Sequence, residues 1–111
     1  MPYAVRSQRN LLSVIAKSPR KQRRIILRNA KKPLIDAIAE CVENTLHGNV
    51  KLNKSQKARL ARHSAKLRKI ANKRISWKTK RDILVQEGGS FFSFLFPLVS
   101  SIIGNITGGS Q

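Results

Sequence analysis

Acidic residues are nearly missing from this chain: five Asp and Glu stand against twenty-three Lys and Arg in 111 residues, a formal charge of +18. Such an excess is far beyond what keeps an ordinary small domain soluble, and it implies a polyanionic partner. Nucleic acid, an anionic membrane and an acidic protein are the candidates. Nucleic acid leads, because neutralising phosphates and releasing their counterions is the strongest gain open to dispersed Lys and Arg. Aromatic residues are also few, with one Trp, one Tyr and four Phe, all four Phe between Phe91 and Phe96. That scarcity argues against a single-strand binder that interleaves stacking aromatics with its cations. The single Cys41 excludes an internal disulfide and a Cys-based zinc site, and a reducing compartment is its natural reading. His47 and His63 lack the carboxylate pattern of a metal or acid–base pair and read as surface polar residues. With no Ser-His-Asp arrangement, phosphate-cradling glycine loop or catalytic carboxylate pair, the sequence predicts no enzyme, no cofactor, no metal and no small-molecule substrate. The polar first ten residues and the short apolar patch at 11–16 do not make a signal peptide, so secretion is not expected.

The charge that is present is unevenly placed. Every Lys and Arg lies between Arg6 and Arg81, and the last thirty residues carry only Asp82 and Glu87. Gly88-Gly89, a pair that breaks helices and permits a sharp change of direction, marks the boundary. Residues 1–87 read as a basic helical nucleic-acid-binding region, and residues 88–111 as a Gly-Gly hinge with an uncharged hydrophobic tail.

Helix signals dominate the basic region. Residues 6–17 carry Leu11, Leu12, Val14 and Ile15; Ser18-Pro19 should end this helix and begin the next as N-cap and first helical residue. Residues 20–30 join a basic run to Ile25, Ile26 and Leu27. Pro33 opens a third helix in which Leu34, Ile38, Cys41, Val42 and Thr45 recur at spacings of three and four, placing Cys41 in the core rather than in a reactive site. Gly48 should close it as a left-handed cap. Asn53 or Ser55 can cap a longer fourth helix reaching about Asn72, and Ser76 a fifth over residues 77–86 in which Trp77, Ile83 and Leu84 can be buried. The fold class is therefore all-α, a small bundle of four to five short helices followed by the tail. Asp36, Glu40 and Glu43 share the polar face of the third helix, either solvated or paired with basic helices of the same domain.

In the fourth helix, Leu60, Ser64, Leu67 and Ala71 follow one line, and Arg59, Arg62, Lys66, Lys69 and Lys73 another about a third of a turn away. One face can pack while the other tracks phosphates. Together with Lys57, with Arg20, Lys21, Arg23 and Arg24, and with Lys78, Lys80 and Arg81, these cations form the expected nucleic-acid-binding set. They offer phosphate contacts, which bind without specifying a base sequence. A solvated face normally mixes signs, whereas no acid occurs between Asn44 and Arg81. A sequence-reading helix-turn-helix is the sharper alternative, with Gln56 and His63 as its base readers. The clusters at 20–24 and 78–81 also fit nuclear import signals.

The tail, residues 91–106, reads FFSFLFPLVSSIIGNI, sixteen residues without a charge. As a helix it spans about 24 Å, short of the roughly 30 Å core of a bilayer. Phe91, Phe92, Phe94, Leu95, Phe96, Leu98, Val99, Ile102 and Ile103 are thus read as an interfacial or lytic membrane segment, a plug on another protein such as a capsid, or a segment folded back on its own bundle.

Gly88-Gly89, Phe96-Pro97-Leu98-Val99 and Ile102-Ile103-Gly104, following a basic region, resemble the C-terminal half of the adenovirus core protein X family, precursors of the DNA-condensing peptide mu. The stretch 41–104, with LNKSQKARL at 52–60 and KRDILVQEGG at 80–89, resembles small basic proteins of adintoviruses and Polinton or Maverick elements. The resemblance implies a virion core protein that accompanies packaged DNA, located in the virion core and host nucleus, with Gly88 and Gly89 as a cleavage hinge. Adenoviral sites of that kind have a large aliphatic residue two places before the first glycine; here Gln86 stands there. Duplex DNA is accordingly the expected ligand, bound independently of sequence. A membrane-active basic protein and an RNA-binding or ribosomal-type protein are the alternatives.

Overall fold

A computed structural model of the chain describes residues 9–48 and 51–86. Among them are six helical segments and no strand: α1 (Arg9–Lys17), α2 (Arg20–Arg28), α3 (Lys32–Leu46), α4 (Lys54–Arg62), α5 (Ser64–Ala71) and α6 (residues 77–86). The all-α expectation holds for these residues. Gly88, Gly89 and the hydrophobic tail lie outside them.

The turn from α1 to α2 differs from the sequence reading. Ser18 does not cap α2; its hydroxyl donates back to the Val14 carbonyl at 2.6 Å, closing the helix before it. Pro19 takes the N-cap position instead, extended at φ −60° and ψ 156° and without a side-chain cap. Proline excludes the helical region for the residue before it, which frees Ser18 to serve the preceding turn.

Helix α3 is the axis of the fold. Leu34, Ile38, Cys41, Val42 and Thr45 are all buried, as their spacing predicts, and Ile35, Ala37 and Ala39 are buried beside them. More than one stripe is covered because α1 packs on one side of α3 and α5 on another. The buried Thr45 hydroxyl is satisfied by donating to the Cys41 carbonyl at 2.8 Å, so no polar cost attaches to its place in the core. Gly48 follows the helix at φ +77°, the left-handed position that the sequence assigned to it.

The expected long fourth helix is two helices. Asn53 caps α4 through a reciprocal box with Gln56, whose backbone N–H donates to the Asn53 side chain at 2.8 Å while the Gln56 side chain accepts from the Asn53 N–H at 3.0 Å. At His63 the backbone leaves helical values, with φ −102° and ψ 12°, and a new helix begins at Ser64. The core explains the bend: α4 buries no residue, whereas α5 buries Leu67 and Ile70 against α3. Ser76 caps α6 as expected, its hydroxyl accepting from the Thr79 N–H at 3.3 Å.

Leu12 and Ile15 of α1, Leu27 of α2, Ile35 and Ile38 of α3, Leu67 and Ile70 of α5 and Leu84 of α6 are the large side chains fully shielded from water. Trp77 and Ile83 pack at the edge of this cluster, half-buried. Each fully buried aliphatic side chain of this kind contributes about 1.5–3 kcal/mol. Ile38→Ala is therefore expected to cost about 2–5 kcal/mol, read from the midpoint of urea unfolding followed by circular dichroism. Lys54→Ala, at an exposed position, should leave that midpoint nearly unchanged.

Candidate nucleic-acid interface

The cations of α4 and α5 are positioned by the apolar residues between them. Leu60, half-buried, and Leu67 and Ile70, buried, turn one side of the two helices inward. Lys57, Arg59 and Arg62 of α4 and Lys66 and Lys69 of α5 are left exposed on the other side. The bend at His63 divides the predicted straight stripe into two short rows. Lys73 does not continue it, because α5 ends at Ala71 and Lys73 lies in the turn beyond. In that turn the Arg74 N–H donates to the Asn72 side chain at 2.9 Å. Arg68 and Arg74 are exposed too, and the sequence reading left them out because it followed one ideal helical line.

On α2, Arg20, Lys21 and Arg24 are exposed. Arg23 is half-buried and donates from Nη2 to the Ser18 carbonyl at 3.0 Å, so it holds the α1–α2 turn. Burial first, and then the neighbouring Arg20, lower the pKa of its guanidinium below the usual arginine value. On α6, Lys78 and Arg81 lie over the Trp77 ring, at 5.9 Å and 5.4 Å from its centroid. Both distances are within cation–π range. Arg81 is half-buried and also approaches Asp82 at 3.6 Å.

Lys80 departs furthest from its expected role. It is buried, 6 % exposed, and is not part of the surface offered to a partner. The signal was in the sequence: Lys80 precedes the fully buried Leu84 by four residues and therefore shares its inward face. Its side chain lines a groove of about 530 Å³ with Asp36, Glu40 and Glu43 of α3, with Lys32 and Lys73, and with Trp77. Burial lowers the Lys80 pKa, and Asp36 and Glu43 offset that only in part. Asp36 is also paired with Lys32 at 2.7 Å. The three acids are thus gathered on one side of α3 around an internal cation, away from the exposed rows of α4.

Neither proposed base reader is free to read bases without cost. Gln56 is committed to the capping box of α4, and His63 sits in the bend between α4 and α5. Among the described residues no group of three His, Cys, Asp or Glu can hold a metal ion. Cys41 is buried in α3, and burial, reinforced by Glu40, pushes its thiol from 9.0 up to about 12. At neutral pH it is therefore not a thiolate nucleophile.

Comparison with protein-family models, with curated proteins and with solved structures finds no match to this chain.

Removing the Lys80 ammonium takes a cation from the groove in which Asp36, Glu40 and Glu43 stand side by side on α3. Lys80→Ala is expected to cost about 1–2 kcal/mol, less than a fully buried pair because the carboxylates are only half-buried. Lys78→Ala should cost almost nothing. Urea titrations at neutral pH should show the Lys80→Ala deficit and no Lys78→Ala deficit.

Cys41 gives a second prediction. A thiol whose folded pKa is raised keeps its proton while the unfolded thiol loses it, so its stabilising contribution is complete below pH 9.0 and lost as pH rises toward about 12. Unfolding titrations across that window should show a decline that is smaller in Cys41→Val. At neutral pH, iodoacetamide followed by mass spectrometry should label Cys41 only under unfolding conditions.

Proposed function

We propose that this chain binds duplex DNA independently of sequence and condenses it, as a virion core protein of a virus or virus-derived element, with its hydrophobic tail contacting capsid or membrane. The observation that carries the reading is the exposed set of cations on α2, α4 and α5, together with the withdrawal of the α3 acids into a groove around Lys80. Cations of one sign on short, rigid helices neutralise several phosphates at once, and each neutralised phosphate releases counterions. The set favours phosphate contact over base selection, because its cations are spread over three helices and Gln56 is engaged at the backbone. Phosphate contacts made without base contacts suit packaging, where every sequence must be bound alike. The viral context is supported by the likeness of residues 41–104 to small basic proteins of adenovirus-related elements. The tail remains an apolar, uncharged appendage to the basic body. In this reading it attaches the nucleoprotein to the inside of the particle or to a membrane.

The test is the affinity of the full chain for random-sequence duplexes across a salt series. Log affinity should fall steeply with log salt, and equally for unrelated sequences. In the variant Arg59→Gln, Arg62→Gln, Lys66→Gln and Lys69→Gln, the slope should flatten by about 0.9 for each phosphate that is no longer neutralised, roughly three to four in all. An unchanged slope removes α4 and α5 from the interface. Tighter binding to structured RNA than to duplex DNA overturns the choice of ligand. Weak binding at low salt together with leakage of anionic liposomes favours a membrane-active protein instead.

A further inference from the structure

Among the described residues the exposed large hydrophobics are Leu11 (46 %), Val14 (51 %) and Ile25 (55 %), all on α1 and α2. Leu11 and Val14 are three residues apart on one face of α1. Leu11 is also one wall of a groove of about 440 Å³ whose other walls are Ile26 of α2, Asn29, Ala30 and Lys31 of the following turn, and Pro33 and Leu34 of α3. Among the described residues Lys31 is its one charged member. An apolar concavity of this size, continuous with exposed apolar side chains, is the kind of surface that a soluble protein covers.

The position of the chain where α6 stops indicates what covers it. Val85 and Gln86 share a small concavity with Arg28, the last residue of α2. The next residue after Arg28, Asn29, already belongs to the apolar groove. Gln86, the last described residue of α6, is therefore close to one end of the groove. Four residues, 87–90, separate it from Phe91, and extended they reach about 14 Å. The sixteen residues that follow carry no charge, so burying them against Lys31 at the rim desolvates no second ion. A second copy of the chain would bring another +18 to the same surface, whereas a tethered segment faces an effective concentration on the order of millimolar.

We propose that residues 91–106 dock within the same molecule into the groove formed by Leu11, Ile26, Ala30, Pro33 and Leu34. The groove is then the tail's resting site, and a capsid or membrane contact has to compete with it. The inference does not rest on the DNA-binding reading: the groove is walled by Leu11 of α1, Ile26 of α2, the α2–α3 turn and Leu34 of α3, whereas the α2 cations Arg20, Lys21 and Arg24 do not line it and the remaining exposed cations of the set lie on α4 and α5.

A nitroxide placed on the full chain through Ser100→Cys tests it, the buried Cys41 being shielded from the label. The amide signals of Leu11, Ile26, Ala30 and Leu34 should broaden while those of Lys57 and Ala58 on α4 stay sharp. Diluting the labelled chain with nitroxide-free protein should leave the broadening intact. Leu11→Glu, at a half-exposed position, should retain the helical circular dichroism and lose the broadening. Sharp groove signals in the labelled chain overturn the proposal. So does broadening that appears in isotope-labelled, nitroxide-free chains when mixed with nitroxide-bearing ones, which identifies a second copy as the occupant. The salt dependence of DNA affinity should be the same for Leu11→Glu as for the parent chain, so either reading can fail without the other.

Discussion

The burial of α3 is the constraint on which the other elements depend. Eight of its fifteen residues are buried, and α1 and α5 each rest directly on it. In so basic a chain this has a particular consequence. Like charges spread over a small surface repel one another and oppose compactness, and the helices α2, α4 and α5 have little apolar area to offset that repulsion themselves. α4 buries nothing, α2 buries only Leu27, and α5 buries only Leu67 and Ile70. Helix α5 is thus held directly on α3 by Leu67 and Ile70, while α2 packs on α1 and α4 on α5.

α3 also carries the acids Asp36, Glu40 and Glu43, and the two properties are linked. A helix covered on several sides has only a narrow face left, and that face meets α6 and the turn before it. The groove there contains Lys80, Lys73 and Lys32. Local charge is balanced inside the domain at the one place where it would otherwise favour a different partner. The exposed rows on α4 and α5 are left with cations alone.

The sequence made some of this legible and hid the rest for identifiable reasons. The inward face of α3 was readable because its period is strong over a long helix with a proline at its start and a glycine after its end. Ser76 was readable as a cap, and Asn53 as one of two candidates with Ser55, because such side chains have few better uses at those positions; the box with Gln56 selects Asn53. The bend at His63 was not. Neither Gly nor Pro marks it, and His63-Ser64 are merely middling helix formers; the cause is tertiary, since α5 must bring Leu67 and Ile70 to α3 while α4 has nothing comparable to bury. Ser18 was misassigned because a hydroxyl before a proline can serve either helix, and the choice is made by which carbonyl is nearest. Lys80 was hidden by its charge. Its spacing from Leu84 gave the inward face, but a chain with so many solvated lysines invites the assumption that every one is outside.

That last case shows how folding changes what the charges of this chain can do. Unfolded, the chain has the same +18 and attracts a polyanion through the same number of cations, so charge alone gives a ligand no reason to prefer the folded form. Linkage depends on the difference in affinity between the two forms, and not on the affinity of either. The fold supplies that difference by arrangement. It removes Lys80 from the surface and sets it among three carboxylates, and it fixes Arg23 to the turn before α2. It then sets the remaining cations of α4 and α5 on helical backbones, which in the proposed binding have no further conformational freedom to lose. Ordering flexible side chains and loops is a principal cost of association, and α4 and α5 have met the backbone part of it through Leu60, Leu67 and Ile70. For the proposed binding, the core's contribution is to fix the backbone beneath the cations, while the number of cations is a property of the sequence alone.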